Sequence, residues 1–266
     1  MMARIVDRIV ERRSPNHDAR PDGMKIDMLV LHYTGMKTAE EALARLCDPE
    51  ARVSAHYTID TDGRVYRHVP EELRAWHAGI SYWAGERNIN GCSVGIEIVN
   101  PGHEFGYVPF AKPQIAALID LGSEILARHR IPPARVVGHS DVAPARKEDP
   151  GELFPWAQLA DFGLGLWPFA PKHPAVSSSR ERNLPPQFAW SAKQAEAVEI
   201  AQLDADLEQS FIRDLRAFGY GVPPEADVPL EKVVAAFQRH WRPEKIDGRI
   251  DEECAYRLGA LLDALS

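Results

Sequence analysis

The sequence predicts an α/β domain followed by a small all-α unit of three helices, and three observations carry that expectation. Short apolar runs that stop at polar residues alternate with helical patterns across residues 26–138. A stretch rich in Pro and Ser breaks the pattern at 163–193. Beyond it only helical periodicity remains, at 195–218, 229–241 and 251–264.

Residues 26–34, Ile-Asp-Met-Leu-Val-Leu-His-Tyr-Thr, form the kind of apolar run a strand shows when both its faces are covered, with His32 near the C-terminal end. Thr38 and Glu41 stand in capping-box spacing before Ala42, Leu43 and Leu46, which predicts a helix over 38–46. The β-rich runs 53–60 and 64–69 flank Asp62-Gly63, a hairpin turn signal. In 93–99, alternation sets Val94, Ile96 and Ile98 on one face and Glu97 on the other, and a carboxylate inside such a run asks for a reason. A helix over 113–128 opens on Pro113 and carries Ile115, Leu118, Ile119, Ile125 and Leu126 as its apolar stripe. Ile131-Pro132-Pro133 ends it, and a last short strand at 135–138 leads to His139.

The length of 266 residues admits one large domain with an appendage, divided here as 1–165, a linker at 166–194, and a three-helix domain at 195–266. The last is of a size that can barely hold its own core. Hydrophobic residues at 45% and charged residues at 26% are ordinary globular usage. A net charge of -8 excludes the dense cationic face that nucleic-acid binding needs. Cys47, Cys92 and Cys254 are far apart and form neither a CxxC pair nor a disulfide framework. No signal-peptide core is visible at the N-terminus and no apolar run reaches the ~20 residues that span a bilayer, so the chain reads as a cytoplasmic monomer without membrane insertion. The alternative is the cell envelope, if a leader has been removed.

Of the ten histidines, His32 and His139 both fall where predicted strands end, the edge of an α/β sheet at which ligand sites concentrate. The segment after His139 is charged and stiffened by Pro144, Pro150 and Pro155, and offers Asp141, Glu148 and Asp149 as acids. Asp149 has Pro150-Gly151 behind it to fix a turn back toward His139. Two imidazoles and one carboxylate, with a fourth position left to water, make a catalytic rather than a structural zinc site.

Five ordered segments, LVLHYTG (29–35), VSAHYTID (53–60), AWHAGISYW (75–83), SVGIEIVN (93–100) and GHSDVAPARKEDPGELFPW (138–156), resemble the AmpD/AmiD type of N-acetylmuramoyl-L-alanine amidase. The resemblance implies a mixed central sheet flanked by helices and one zinc ion held by His32, His139 and Asp149. It implies Glu97 and Lys147 as catalytic groups, and hydrolysis of the lactyl to L-alanine amide in peptidoglycan or soluble muropeptides. A related branch carries a tyrosine just before the histidine of the VSAHY-like strand; here that position is Ala55, so Glu97 has no obvious competitor. His56 reads as a packed strand histidine and His77, in a predicted loop, as a substrate contact, with Trp76, Tyr82 and Trp83 able to line a groove.

Residues 236–241 (Ala-Phe-Gln-Arg-His-Trp) and 246–251 (Ile-Asp-Gly-Arg-Ile-Asp) resemble signatures of the three-helix peptidoglycan-binding domain, Phe237 as core and Asp247-Gly248 as a tight turn. Those marks identify a fold better than ligand contacts. A serine hydrolase fails because Gly138-His139-Ser140-Asp141-Val142 lacks the second glycine of a nucleophile elbow. A zinc peptidase fails for want of an HExxH helix. A non-catalytic peptidoglycan recognition protein remains as the alternative, although such proteins typically lose a metal ligand.

Overall fold

The computed structural model describes residues 9–169 and 191–265, the side chains of 191–204 aside. The apolar run around His32 becomes β3 (Met28–Tyr33), an interior strand of a six-stranded sheet. The other strands of that sheet are β1 (Val10–Glu11), β4 (Tyr57–Ile59), β5 (Val65–Arg67), β7 (Ser93–Ile98) and β8 (Val136–Gly138). Their order is β1-β5-β4-β7-β3-β8, and only the β4/β5 hairpin is antiparallel, so the sheet is mixed. A separate antiparallel pair joins β2 (His17–Ala19) to β6 (Leu73–Ala75).

Side-chain alternation gives the sheet two different faces. Leu29 and Leu31 of β3 join Val94, Ile96 and Ile98 of β7 in a core cluster with Ile115, Leu118, Leu121 and Ile125 of α4 (Lys112–His129). The opposite face carries Met28, Val30 and His32 on β3 and Ser93, Gly95 and Glu97 on β7. The parallel register pairs His32 with Glu97. The first face is core throughout, and the second sets His32 and Glu97 beside the buried Met28 and Val30.

Local signals behave as the sequence reads. The Thr38 hydroxyl accepts from the Glu41 N–H at 3.2 Å and starts α1 (Ala39–Cys47). Gly63 takes φ 86° at the hairpin turn, where an L side chain is disfavoured. Short helices α2 (Ile89–Cys92), α3 (Gly102–Phe105), α5 (His139–Val142) and α6 (Trp156–Ala160) fill the connections.

The C-terminal helices α7 (Ser191–Phe218), α8 (Leu230–Trp241) and α9 (Glu252–Asp263) do not bury their apolar faces by themselves. Phe211, Leu215, Phe237 and Trp241 belong to one cluster with Met28, Val30, Trp83, Ile89 and Val142 of the α/β part. A unit too small to close its own core has closed it on its neighbour. Trp83, expected at a groove, is core, edge-on to Phe218 and Tyr220. Leu166, Trp167 and Phe169 also pack on this cluster, where an extended linker was expected to begin at 166; residues 170–190 of that linker lie outside the described residues. Phe237 is fully buried, and Gln238 staples the Asp247-Gly248 turn by accepting both N–H groups at 2.9 and 2.8 Å. Among the described residues no helix is long and apolar enough to cross a membrane.

Candidate metal centre

Strand register places the two histidines side by side. Gly138 pairs with Leu31, so the next residues along the two parallel strands are His139 and His32. His139 opens α5, and the loop that follows returns to it because the Ser140 N–H donates to the Asp149 carbonyl at 2.9 Å. At Gly151 φ is 87°, and an added Cβ would meet the Tyr107 hydroxyl, itself bonded to the Pro150 carbonyl, so only glycine closes this turn.

Three buried atoms converge. His32 Nδ1 lies 2.9 Å from His139 Nδ1 and 3.1 Å from Asp149 Oδ2, and His139 Nδ1 lies 3.0 Å from the same oxygen. Exposure is 1%, 3% and 5% for His32, His139 and Asp149. Of the three acids in the loop only Asp149 reaches the cluster. Asp141 turns away, accepting from the Gly138 N–H and the Tyr220 hydroxyl and pairing with His240 Nδ1 at 2.6 Å. Glu148 is exposed beside Arg239.

The chemistry of the donor set fits a cation. His139 Nε2 lies 3.1 Å from the Ala78 carbonyl, which can only accept, so that nitrogen carries the proton and Nδ1 offers a lone pair. Burial, with His139 beside it, lowers the His32 pKa to about 4 against the pull of Asp149, which favours a neutral ring. Burial raises the Asp149 carboxyl, but the two histidines outweigh it and hold the group well below the usual carboxylate range. Lone pairs and one negative charge packed within about 3 Å are stable together when a positive ion sits among them.

The cluster lies against a cavity of about 440 Å³ lined by Tyr33, Trp76, Glu97, His103 and Lys147 among others. Glu97 Oε2 is buried there with no hydrogen-bond partner among the described residues. Burial first, and the charge of Asp149 second, push the Glu97 carboxyl well above its ordinary range, while Lys147 opposes them. Lys147 is half-buried on the far side of the loop turn closed by its N–H to the Ala143 carbonyl.

His77 borders the cavity but is 8% exposed, and its two ring nitrogens face His32 Nε2 and Ser93 Oγ, both at 3.1 Å. His77, expected as a substrate contact, thus borders the cavity with both ring nitrogens facing partners inside the protein. His56 is a packed histidine, accepting from the Gly95 N–H at Nδ1 and facing the Leu73 carbonyl at Nε2. Sequence reasoning missed Tyr33 and His103 at the cavity, backed by Tyr107, on which His103 stacks at 4.4 Å. It also missed Asp141 as an anchor; the adjacency of Asp141 to His139 was the available signal.

A family model described as N-acetylmuramoyl-L-alanine amidase matches residues 22–152. N-acetylmuramoyl-L-alanine amidase AmiD of Escherichia coli K12 is 36% identical over 273 residues, covering 96% of this chain and 90% of that protein. The chain belongs to the N-acetylmuramoyl-L-alanine amidase family. Within that family, 1,6-anhydro-N-acetylmuramyl-L-alanine amidase AmpD of Enterobacter cloacae is 33% identical but aligns with only 55% of this chain, covering 85% of its own length. The solved complex of E. coli AmiD with anhydro-N-acetylmuramic acid-L-Ala-D-γ-Glu-L-Lys superposes with a TM-score of 0.69 at 34% identity, covering 92% of each chain. The crystal structure of AmpDh3 from Pseudomonas aeruginosa superposes at 0.70 with 35% identity, covering 92% of this chain and 94% of the other. Two family members thus superpose on this chain over most of its length.

Proposed function

We propose that this amidase-family chain cleaves the amide between the lactyl group of N-acetylmuramic or anhydro-N-acetylmuramic acid and L-alanine, with His32, His139 and Asp149 holding one zinc ion. The observation that carries the reading is the convergence of those three donors beside a buried, unpartnered Glu97 carboxylate oxygen. When bound, zinc supplies a polarised carbonyl and water acidic enough to attack at neutral pH.

Glu97 is the proton carrier. Its free Oε2 takes a proton as the water oxygen adds to the lactyl carbonyl carbon. When the C–N bond breaks, the same carboxyl returns that proton to the L-alanine nitrogen. A carboxyl with a raised affinity for protons suits both halves of that task. Lys147, which lines the same cavity, offsets negative charge on the carbonyl oxygen. Residues 1–165 supply this chemistry, and the helices over 195–266 form a peptidoglycan-binding-like domain docked beside it.

Purified protein loaded with zinc should release the stem peptide from soluble anhydro-muropeptides and from intact sacculi, and a chelator should stop both. Binding of muropeptide without release of an L-alanine amino terminus would favour the recognition-protein alternative and end the proposal.

A further inference from the structure

The two imidazoles of the cluster are held by one short segment, and in different ways. His139 Nε2 meets the backbone carbonyl of Ala78, as fixed a partner as a protein offers. His32 Nε2 instead meets the side chain of the preceding residue, His77. An imidazole is ambiguous as a partner, because either ring nitrogen can carry the proton. What resolves the ambiguity lies one step deeper.

Ser93 Oγ lies 2.5 Å from the Ile89 carbonyl and 3.1 Å from His77 Nε2. A carbonyl only accepts, so the serine hydroxyl donates to Ile89 and faces His77 with lone pairs alone. His77 Nε2 must then donate, and in a neutral ring Nδ1 is left as an acceptor. His77 Nδ1 in turn obliges His32 Nε2 to carry its proton, which leaves the His32 Nδ1 lone pair aimed at His139 and Asp149. Each hydrogen points outward along the chain from His32 to His77 to Ser93 to Ile89.

The seat is built to hold this orientation. His77 lies over Gly95, where an added Cβ would meet the ring at 2.4 Å, so the strand gives up a side chain to admit it. The backbone is clamped as well, since Asn90 Oδ1 accepts from the His77 N–H at 3.0 Å and the Ala78 N–H at 2.7 Å. The His32 and His77 rings meet edge to face with centroids 5.1 Å apart.

We propose that His77 and Ser93 are positioning residues for the metal centre, a relay anchored on the Ile89 carbonyl that fixes the tautomer and ring orientation of His32. This rests on the reading of His32, His139 and Asp149 as zinc ligands. Outer partners of this kind typically change metal affinity by about 10–100-fold when removed.

The test uses the full chain and zinc alone as the probe. Zinc affinity is measured by competition with a chromophoric chelator for wild type, His77→Gln, His77→Leu, Ser93→Ala and Asp149→Ala, beside the visible spectrum of each cobalt-substituted protein and the melting temperature of each zinc-free one. Glutamine can still accept from His32 and donate to Ser93, whereas leucine can do neither. The expected order of affinity is wild type, His77→Gln, then His77→Leu, with Ser93→Ala also weakened, roughly 10–100-fold separating the extremes, and a cobalt spectrum that changes with the loss. His77→Leu and Ser93→Ala binding zinc like wild type, while Asp149→Ala does not, would overturn the relay and leave the ligand assignment intact. Failure of wild type itself to bind one zinc ion would overturn both. If His77→Leu does not fold, the smaller change Ser93→Ala decides alone.

Discussion

The two sides of the candidate metal centre are held by different kinds of structure. His32 and Glu97 stand on neighbouring interior strands, β3 and β7, whose register is set by a parallel ladder and whose other face is sealed by α4. His139, Lys147 and Asp149 lie beyond the sheet, on α5 and the loop after it. Their anchor is Asp141, which bonds Tyr220 and His240 of the C-terminal helices. His240 is itself layered between Trp156 at 3.7 Å and Trp241 at 3.6 Å. The sheet side draws its rigidity from backbone pairing in the α/β part, and the loop side from side chains of a unit that looks separate in the sequence. The C-terminal helices are therefore part of what keeps Asp149 and His139 in place.

Three experiments can break or sharpen that contrast. The largest effect is expected on the sheet side from Glu97→Gln, which keeps the shape and removes the proton carrier. Steady-state kinetics should show kcat lower by about 10²–10⁴-fold while zinc affinity and melting temperature stay near wild type. A parallel loss of stability would mean that Glu97 also holds the sheet together.

Next comes His240→Ala on the loop side, which leaves buried Asp141 short of a partner. A stability loss of about 3 kcal/mol is expected in urea titration, accompanied by faster zinc release to a chelator, although residue 240 touches no ligand. An unchanged zinc off-rate would show that the loop holds itself and would dissolve the comparison.

The smallest effect is a pH dependence that belongs to the sheet side. Burial holds His56 at about 3 and His68 at about 4, below the ordinary 6.5. As pH falls the unfolded chain takes up these protons first, so the stability complete above pH 6.5 drains away between 6.5 and about 4 for His68 and about 3 for His56. Zinc-free protein should lose roughly 1 kcal/mol per histidine between pH 7.5 and 5.5, read from urea midpoints. His68→Gln should remove part of that slope, and a slope that instead vanished in His240→Ala would place the titration on the loop side.

Much of the sheet side is legible in the primary structure. Thr38 caps its helix, Asp62-Gly63 turns its hairpin, and the carboxylate at Glu97 is odd enough in an apolar strand to mark itself. The loop side is legible only in part. Asp149 is favoured among three acids by the turn behind it, but that Asp141 faces the other way depends on Tyr220 and His240, which are 79 and 99 residues distant. His77 reads as a loop histidine free to meet substrate because nothing in its neighbourhood announces that Gly95 has made room for its ring.

Alternation, capping and ligand chemistry act over a few residues or survive as motifs, so the primary structure alone indicated five strands of the large sheet, the Thr38 cap, the candidate donor residues and the family. Only the tertiary structure decided which way each proton and carboxylate points, and that the C-terminal helices close their core on the α/β part. Those outcomes follow from packing and from hydrogen bonds between groups far apart in the chain, where a buried donor or acceptor must find a partner and the chain's path alone determines which one is within reach.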